Sequence, residues 1–300
     1  MKTLLLLIKN WTLPIAMLIG AIGYEYLAPL APITPWLILC MLFLTFSKLS
    51  LRELKLEPLH LWILMIQLGG GLFLYLLLRP LHPIVAQGAM ICVLAPTATA
   101  SPVITGKLGG NIATITTFTL ISNMAMAIVA PICFPLIESG QHPEFLSGFL
   151  HIVKKVFPLI LGPCLVAQLI RHFIPAVHQQ ITRVYSAGFY IWAVSLIIVT
   201  AQTVHSLVTA AEHAEIALYT AIIALITCLL QFYIGKRIGK VYGNTVSGGQ
   251  ALGQKNTILA IWMTHAYLNP IAAIAPGAYV IWQNLFNSWQ LWQKRKQDSK

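Results

Sequence analysis

Charge is scarce in this chain. Only 9% of its 300 residues are Asp, Glu, Lys or Arg, and just 8 are acidic. No hydrophilic stretch is long enough for a separate soluble domain, which excludes an ordinary soluble globular protein. Cysteine is sparse too. The five (Cys40, Cys92, Cys133, Cys164, Cys228) all lie in apolar runs without metal-type spacing, so buried small hydrophobes are their expected role. There is no His-Glu-x-x-His, no serine nucleophile elbow, no phosphate-cradling glycine loop and no pair of intramembrane carboxylates, so an enzyme is not expected. A net charge of +11 could suit nucleic acid, but the basic residues sit in short clusters between apolar runs. Membrane orientation explains that distribution better.

What is abundant is apolar sequence: 58% of residues are hydrophobic and mean hydropathy is +0.78. Spanning-length runs fall at about 12–30, 34–50, 58–78, 83–109, 111–137, 155–173, 184–208, 214–235, 244–268 and 270–291, which predicts ten transmembrane helices. Breaks are expected at Ala31-Pro32, Arg79-Pro80 and Asn269-Pro270.

Loop charges alternate along the chain. Lys2, Lys9, Lys48, Arg52, Lys55, Lys107, Arg171, Arg183, Lys236, Arg237, Lys240, Lys294, Arg295, Lys296 and Lys300 fall on one side, and Arg79, Glu138, Glu144, Glu212 and Glu215 on the other. The pattern places both termini in the cytoplasm, and a bacterial inner membrane is the expected location. Lys154 and Lys155 break the pattern and are expected in an interfacial helical turn starting at Phe145. The start, MKTLLLLIKNW, has the charge and apolar run of a signal peptide. Lys9 and Asn10 interrupt it and no small-residue cleavage site follows, so it is expected to stay in the mature chain.

Two of the runs carry polar breaks. In Ser247–Pro270, Gly248, Gly249, Gly253, Gln250, Gln254, Lys255 and Asn256 replace lipid-facing residues, and Lys255 is the only charge between Lys240 and Lys294. A charge at mid-span costs roughly 2.5–3.5 kcal/mol on insertion scales and therefore faces a cavity or partner. The glycines are expected to weaken the helix where that charge arrives. The second break is Ala95-Pro96-Thr97-Ala98-Thr99-Ala100-Ser101-Pro102, whose prolines remove backbone donors while Thr97, Thr99 and Ser101 supply hydroxyls. Thr116, Thr119 and Asn123 of the next run share a face that can meet the breaks. Gln67, ahead of Gly69-Gly70-Gly71, and His265, beyond Lys255, complete the candidate substrate- or ion-binding residues. For single members of this set the alternative is hydrogen bonding between packed helices. The halves echo each other weakly, and with an odd number of spans each the second half must enter inverted, the pattern of secondary transporters.

These breaks resemble the bile acid:sodium symporter family. Gly253-Gln254-Lys255-Asn256-Thr257-Ile258-Leu259-Ala260 is similar to its Glu-x-Gly-Met-Gln-Asn-x-x-Leu-Ala, and Pro270–Pro276 with Trp282-Gln283-Asn284-Leu285 to its following span. Pro96–Ser101 resembles its Pro-Gly-Gly-x-x-Ser-Asn break. The resemblance implies an all-α membrane protein of ten helices in two inverted five-helix repeats, with broken crossing helices 4 and 9. It also implies a panel (about 12–50 and 146–208), a core (about 58–137 and 214–291), and alternating-access transport of organic anions, commonly with two sodium ions. Residue by residue, the family's sodium-binding Glu falls on Ala251, its Gln on Lys255, its Asn on Pro102 and one Ser of the fifth span on Ile115. Ser101, Thr119 and Gln67 keep oxygen atoms, and Ser101 with Thr119 form a remnant sodium site at most.

The expectation is a secondary transporter of a small organic anion, with no cofactor, no nucleic-acid partner and the lipid bilayer as its surroundings. Lys255 replaces a bound cation and can carry a coupled proton. A non-transporting receptor or scaffold on the same fold, and a proton-coupled exchanger, are the alternatives. Substrate, coupling ion and oligomeric state are not legible in the residues.

Overall fold

The computed structural model describes residues 2–49, 54–137, 145–209 and 214–298, and for residues 2–11 and 214 the backbone alone. Arg52, Glu138, Glu144, Glu212 and Lys300, and the side chains of Lys2 and Lys9, lie outside what is described.

The described residues are helical, joined by short turns, with no strand longer than one isolated bridge. The order is α1 (Lys2–Ile22), α2 (Tyr24–Leu27), a 3-10 turn (Ala28–Ile33), α3 (Thr34–Lys48), α4 (Pro58–Leu78), α5 (Pro83–Leu94), α6 (Ser101–Lys107) and α7 (Ile112–Ile137). The second half continues with α8 (Phe145–Phe173), α9 (Pro175–Arg183), α10 (Ala187–Thr209), α11 (Ala214–Val241), α12 (Thr245–Gly253), α13 (Thr257–Tyr267), a 3-10 turn (Pro270–Ala273) and α14 (Ile274–Asp298).

Among the described residues, six continuous helical stretches are long and apolar enough to cross a membrane: Tyr24–Lys48, Pro58–Leu78, Ile112–Ile137, Phe145–Phe173, Ala187–Thr209 and Glu215–Val241. The chain is therefore a multi-pass membrane protein by length and composition. The expected fourth and ninth spans are each two short helices, α5 with α6 and α12 with α13, which is why neither appears as one long apolar helix.

Two compact units form, Met1–Lys48 with Pro158–His213 and Leu49–Phe157 with Ala214–Lys300. The second unit buries polar side chains beside its apolar core and exposes large apolar ones. Gln67, Thr97, Ser101, Ser122 and Asn123 are fully buried, whereas Phe73, Leu76, Leu218 and Tyr219 are more than half exposed. Water would reverse that order, and hydrocarbon favours it.

Where helices must touch backbone to backbone, glycine makes it possible. A Cβ on Gly248 would collide with the Gly235 carbonyl, and one on Gly235 with the Gly248 carbonyl, so α11 and α12 meet backbone to backbone at this pair. A Cβ on Gly71 would lie 3.2 Å from Leu94, while one on Gly69 would meet nothing within 4 Å. Of the triplet Gly69-Gly70-Gly71, only the last serves close approach.

One carboxylate ties three helix starts together. Glu57 Oε1 accepts from Thr114 Oγ1 at 3.0 Å and Oε2 from Asn244 Nδ2 at 3.3 Å, while the Glu57 N–H donates to His60 Nδ1 at 3.0 Å. With Nδ1 accepting, His60 Nε2 carries the hydrogen and donates to Thr114 O at 3.0 Å. Ser247 Oγ accepts from the Asn111 N–H at 2.9 Å, joining the starts of α7 and α12 a second time. The openings of α4, α7 and α12 are thus held by side chains that supply the groups helix ends lack.

Several local expectations change. Gly248 and Gly249 lie inside α12 rather than in its break, because they serve packing against α11. Pro102 opens α6 in its first turn, where a missing N–H is harmless, and does not interrupt a helix. The chain breaks at Gly23 rather than at Ala31-Pro32, since a 3-10 turn carries the prolines into α3. Lys154 and Lys155 lie in the helix that starts at Phe145, which runs on as the continuous 29-residue α8.

The glycines make a paired test. Gly248→Val should lower the unfolding temperature of the detergent-solubilised protein by many degrees, because backbone must move. Gly69→Ala should leave it unchanged or raise it by a few degrees at most, the helix-propensity gain being about 1 kcal/mol. Equal effects would contradict the packing described.

Candidate functional site

The two breaks cross as a pair of extended strands. α5 stops because Pro96 drives Ala95 out of the helical region, to φ −49° and ψ 140°. On the other side Gln254 is extended at φ −99° and ψ 106°. The Ala98 N–H donates to Gln254 O at 2.9 Å and the Asn256 N–H to Pro96 O at 2.8 Å. Thr97 and Lys255 therefore face each other as an antiparallel bridge.

Each strand turns its remaining polar groups outward, and a side chain from the next helix receives them. On the Thr97 side, the Thr97 N–H donates to Ser122 Oγ at 2.9 Å and Asn123 Nδ2 reaches Thr97 O at 3.4 Å. On the Lys255 side, Gln283 works as a false strand: its Oε1 accepts the Lys255 N–H at 2.8 Å and its Nε2 donates to Lys255 O at 3.3 Å. α7 and α14 thus flank the crossing from opposite edges.

The side chains of the bridge exchange reciprocally. Thr97 Oγ1 donates to Ala251 O at 2.7 Å, at the carbonyl end of α12. Lys255 Nζ donates to Val93 O at 2.7 Å, at the carbonyl end of α5. Ala251 precedes Lys255 by four residues and Val93 precedes Thr97 by four, so each residue caps the half-helix leading into the other. Capping matters because the last carbonyls of a helix have no partner in their own helix.

The rest of the α5 end is equally accounted for. Gln231 Nε2 donates to Cys92 O at 3.2 Å, and Gln67 Nε2 to Leu94 O at 3.0 Å and Ala95 O at 3.2 Å. Tyr279 OH donates to Gly253 O at 2.8 Å on the other side. Lys255 is only 1% exposed, so its ammonium depends on this arrangement. The Val93 carbonyl and the negative end of the α5 dipole both favour a cation there, the dipole by up to about 2 kcal/mol in a sheltered geometry.

The structure gathers Gln67, Thr97, Asn123, Gln254, Lys255 and Asn256 at the crossing. Asn256 caps α13, its Oδ1 accepting the Leu259 N–H at 3.3 Å. Ser101 Oγ and Gln254 Oε1 are buried without a protein partner among the described residues. Gln250 pairs with Asn287 at 2.7 Å, one helix turn before the crossing. Thr119 bonds back to Ile115 O of its own helix at 2.8 Å, neither to the crossing nor to a neighbouring helix. Thr99 and Thr116 are half-buried and join none of the crossing's hydrogen bonds described above. His265 sits ten residues beyond Lys255 on α13, about 15 Å along the helix, and is not part of the bridge.

Sequence reasoning passed over Ser122, Gln231, Tyr279 and Gln283. Ser122 is the hub of one edge, since its hydroxyl also donates to Gln67 Oε1 at 3.0 Å. The available signal was simple: each is a hydrogen-bonding residue inside an apolar run with no loop to explain it.

The model of the sodium bile acid symporter family matches residues 33–210, which includes the first break and stops before the second. No curated protein matches the chain.

Removing the hub is the direct test of this network. Ser122→Ala strips the partner from both the Thr97 N–H and Gln67 Oε1, each buried group costing about 1–3 kcal/mol. Thermal unfolding in detergent should show a drop of several degrees, against a change within about 0.5 kcal/mol for Thr116→Val.

Proposed function

The chain belongs to the sodium bile acid symporter family, and we propose that it moves a small organic anion across the membrane by alternating access, with Lys255 in the place of a bound cation. The family's members are secondary transporters and not enzymes, and their substrates are small solutes. The finer reading rests on the bridge, and above all on the ammonium that donates to Val93 O from inside it.

In this reading the ten expected spans form two inverted repeats. The reciprocal capping by Thr97 and Lys255 supports it, because a two-fold relation between two broken helices makes each side chain do to its partner what is done to it. The unit Leu49–Phe157 with Ala214–Lys300 acts as the core, and Met1–Lys48 with Pro158–His213 as the panel.

Sodium, which the family name implies, would find no carboxylate at the crossing, where the buried oxygens without a partner among the described residues are Ser101 Oγ, Asn123 Oδ1 and Gln254 Oε1. A hard cation needs several oxygen ligands. Val93 O and Ala251 O are already taken by Lys255 and Thr97, and Thr119 is bonded to its own helix. Ser101 Oγ is the one hydroxyl of the remnant set with no partner among the described residues. An ammonium already seated there repels a second cation and attracts an anion. Lys255 therefore holds the two breaks together as a tethered cation and supplies the positive charge a carboxylate or sulfonate substrate needs.

The test is net uptake by proteoliposomes of a panel of labelled organic anions, a bile acid among them, in sodium and in potassium buffer. Uptake should be equal in the two buffers, and Lys255→Met should abolish it or sever it from a proton gradient. Strict sodium dependence together with normal uptake by Lys255→Met would overturn the proposal. Saturable binding with no net flux would instead identify a receptor on the same fold.

A further inference from the structure

The short helix α9 has no buried residue. Its apolar positions, extended by one residue at each end, are Ile174, Val177, Ile181 and Val184, spaced three, four and three apart along one face. Ile174, Val177 and Val184 are 50%, 44% and 54% exposed, and Phe173 beside them 70%. A stripe this open has little to do with the protein core.

The position of α9 within its unit is set by bonds to the end of α3. His178 Nε2 donates to Ser47 O at 2.8 Å, and α8 sends Gln168 Nε2 to Phe46 O at 3.2 Å. α9 is therefore tied to the C-terminal end of α3. That end is basic. Lys48 closes α3 and rests 3.9 Å above the Tyr185 ring, Arg171 and His172 lie in the last turn of α8, and Arg183 closes α9. Among the described residues of this unit the sole carboxylate is Glu25, ahead of α3 and at its opposite end.

We propose that α9 lies in the headgroup layer of the membrane and binds anionic phospholipid headgroups through Lys48, Arg171 and Arg183, with its apolar stripe in the upper acyl region. An open apolar stripe flanked by cations is the chemistry of an interfacial lipid-binding helix. Arg171 and Arg183 suit a phosphodiester because the guanidinium donates two parallel hydrogen bonds. The lipid contact fixes the depth and tilt of this unit. It does not depend on what the protein transports or on Lys255.

Native mass spectrometry of the full-length protein, extracted from bilayers of equal phosphatidylglycerol and phosphatidylcholine, reads the proposal directly. The wild type should retain phosphatidylglycerol in preference, and Arg171→Gln/Arg183→Gln should lose that preference by on the order of tenfold. Arg79→Gln, a cation removed elsewhere, should leave it intact. If the double variant fails to fold, a salt series on the wild type decides, since headgroup binding weakens as ionic strength rises. Equal retention of both lipids by the wild type, unchanged preference in a folded double variant, or retention indifferent to salt would each overturn the proposal. So would a soluble protein seated on α9 with no lipid preference.

Discussion

Backbone polar groups in a membrane must find partners inside the protein, and this one requirement organises the second unit. Two helices stop in mid-span, and each stop frees carbonyls that hydrocarbon cannot solvate. The protein answers by bringing the stops together. The main chains pair with each other through Ala98 and Asn256, and side chains from α4, α7, α11 and α14 take up what is left. Removing the crossing would leave a row of buried groups without partners, so neither break is stable without the other.

The same constraint explains why a lysine is tolerated in the bilayer. Lys255 is not an isolated charge facing lipid: it completes the capping of α5 and sits at the end of that helix dipole. Thr97 does the equivalent for α12 with a neutral hydroxyl. The pair is symmetric in geometry and asymmetric in charge. That asymmetry places a single amine opposite a neutral hydroxyl at the crossing. Glu57 plays the complementary role at the helix starts, where donors rather than acceptors go short, although the carboxylate itself accepts from side chains that the loops deliver.

How much of this was legible beforehand differs residue by residue. Lys255 stood out because charge is so scarce that a single lysine in an apolar run demands an explanation. Thr97 and Gln67 were legible as polar residues in or near a proline break. Ser122 was passed over in favour of Thr116 and Thr119, because all three are hydroxyl residues on one helix and only the way α7 meets the break selects among them. Gly248 and Gly249 were read as helix breakers on intrinsic propensity. Packing overrides propensity here, since close approach to Gly235 is worth more than the entropy a glycine costs.

The sequence by itself determined the solvent: its apolar runs and thin charge admit only a membrane, and its two polar interruptions mark where the helices end. Those are local properties, written in hydropathy and in proline. Tertiary structure alone decided which groups meet. Thr97 reaches Ala251 over 154 residues and Lys255 reaches Val93 over 162, and no local pattern encodes contacts at that range. They exist because the two breaks lie at the same depth in the fold, where each provides the partner the other lacks.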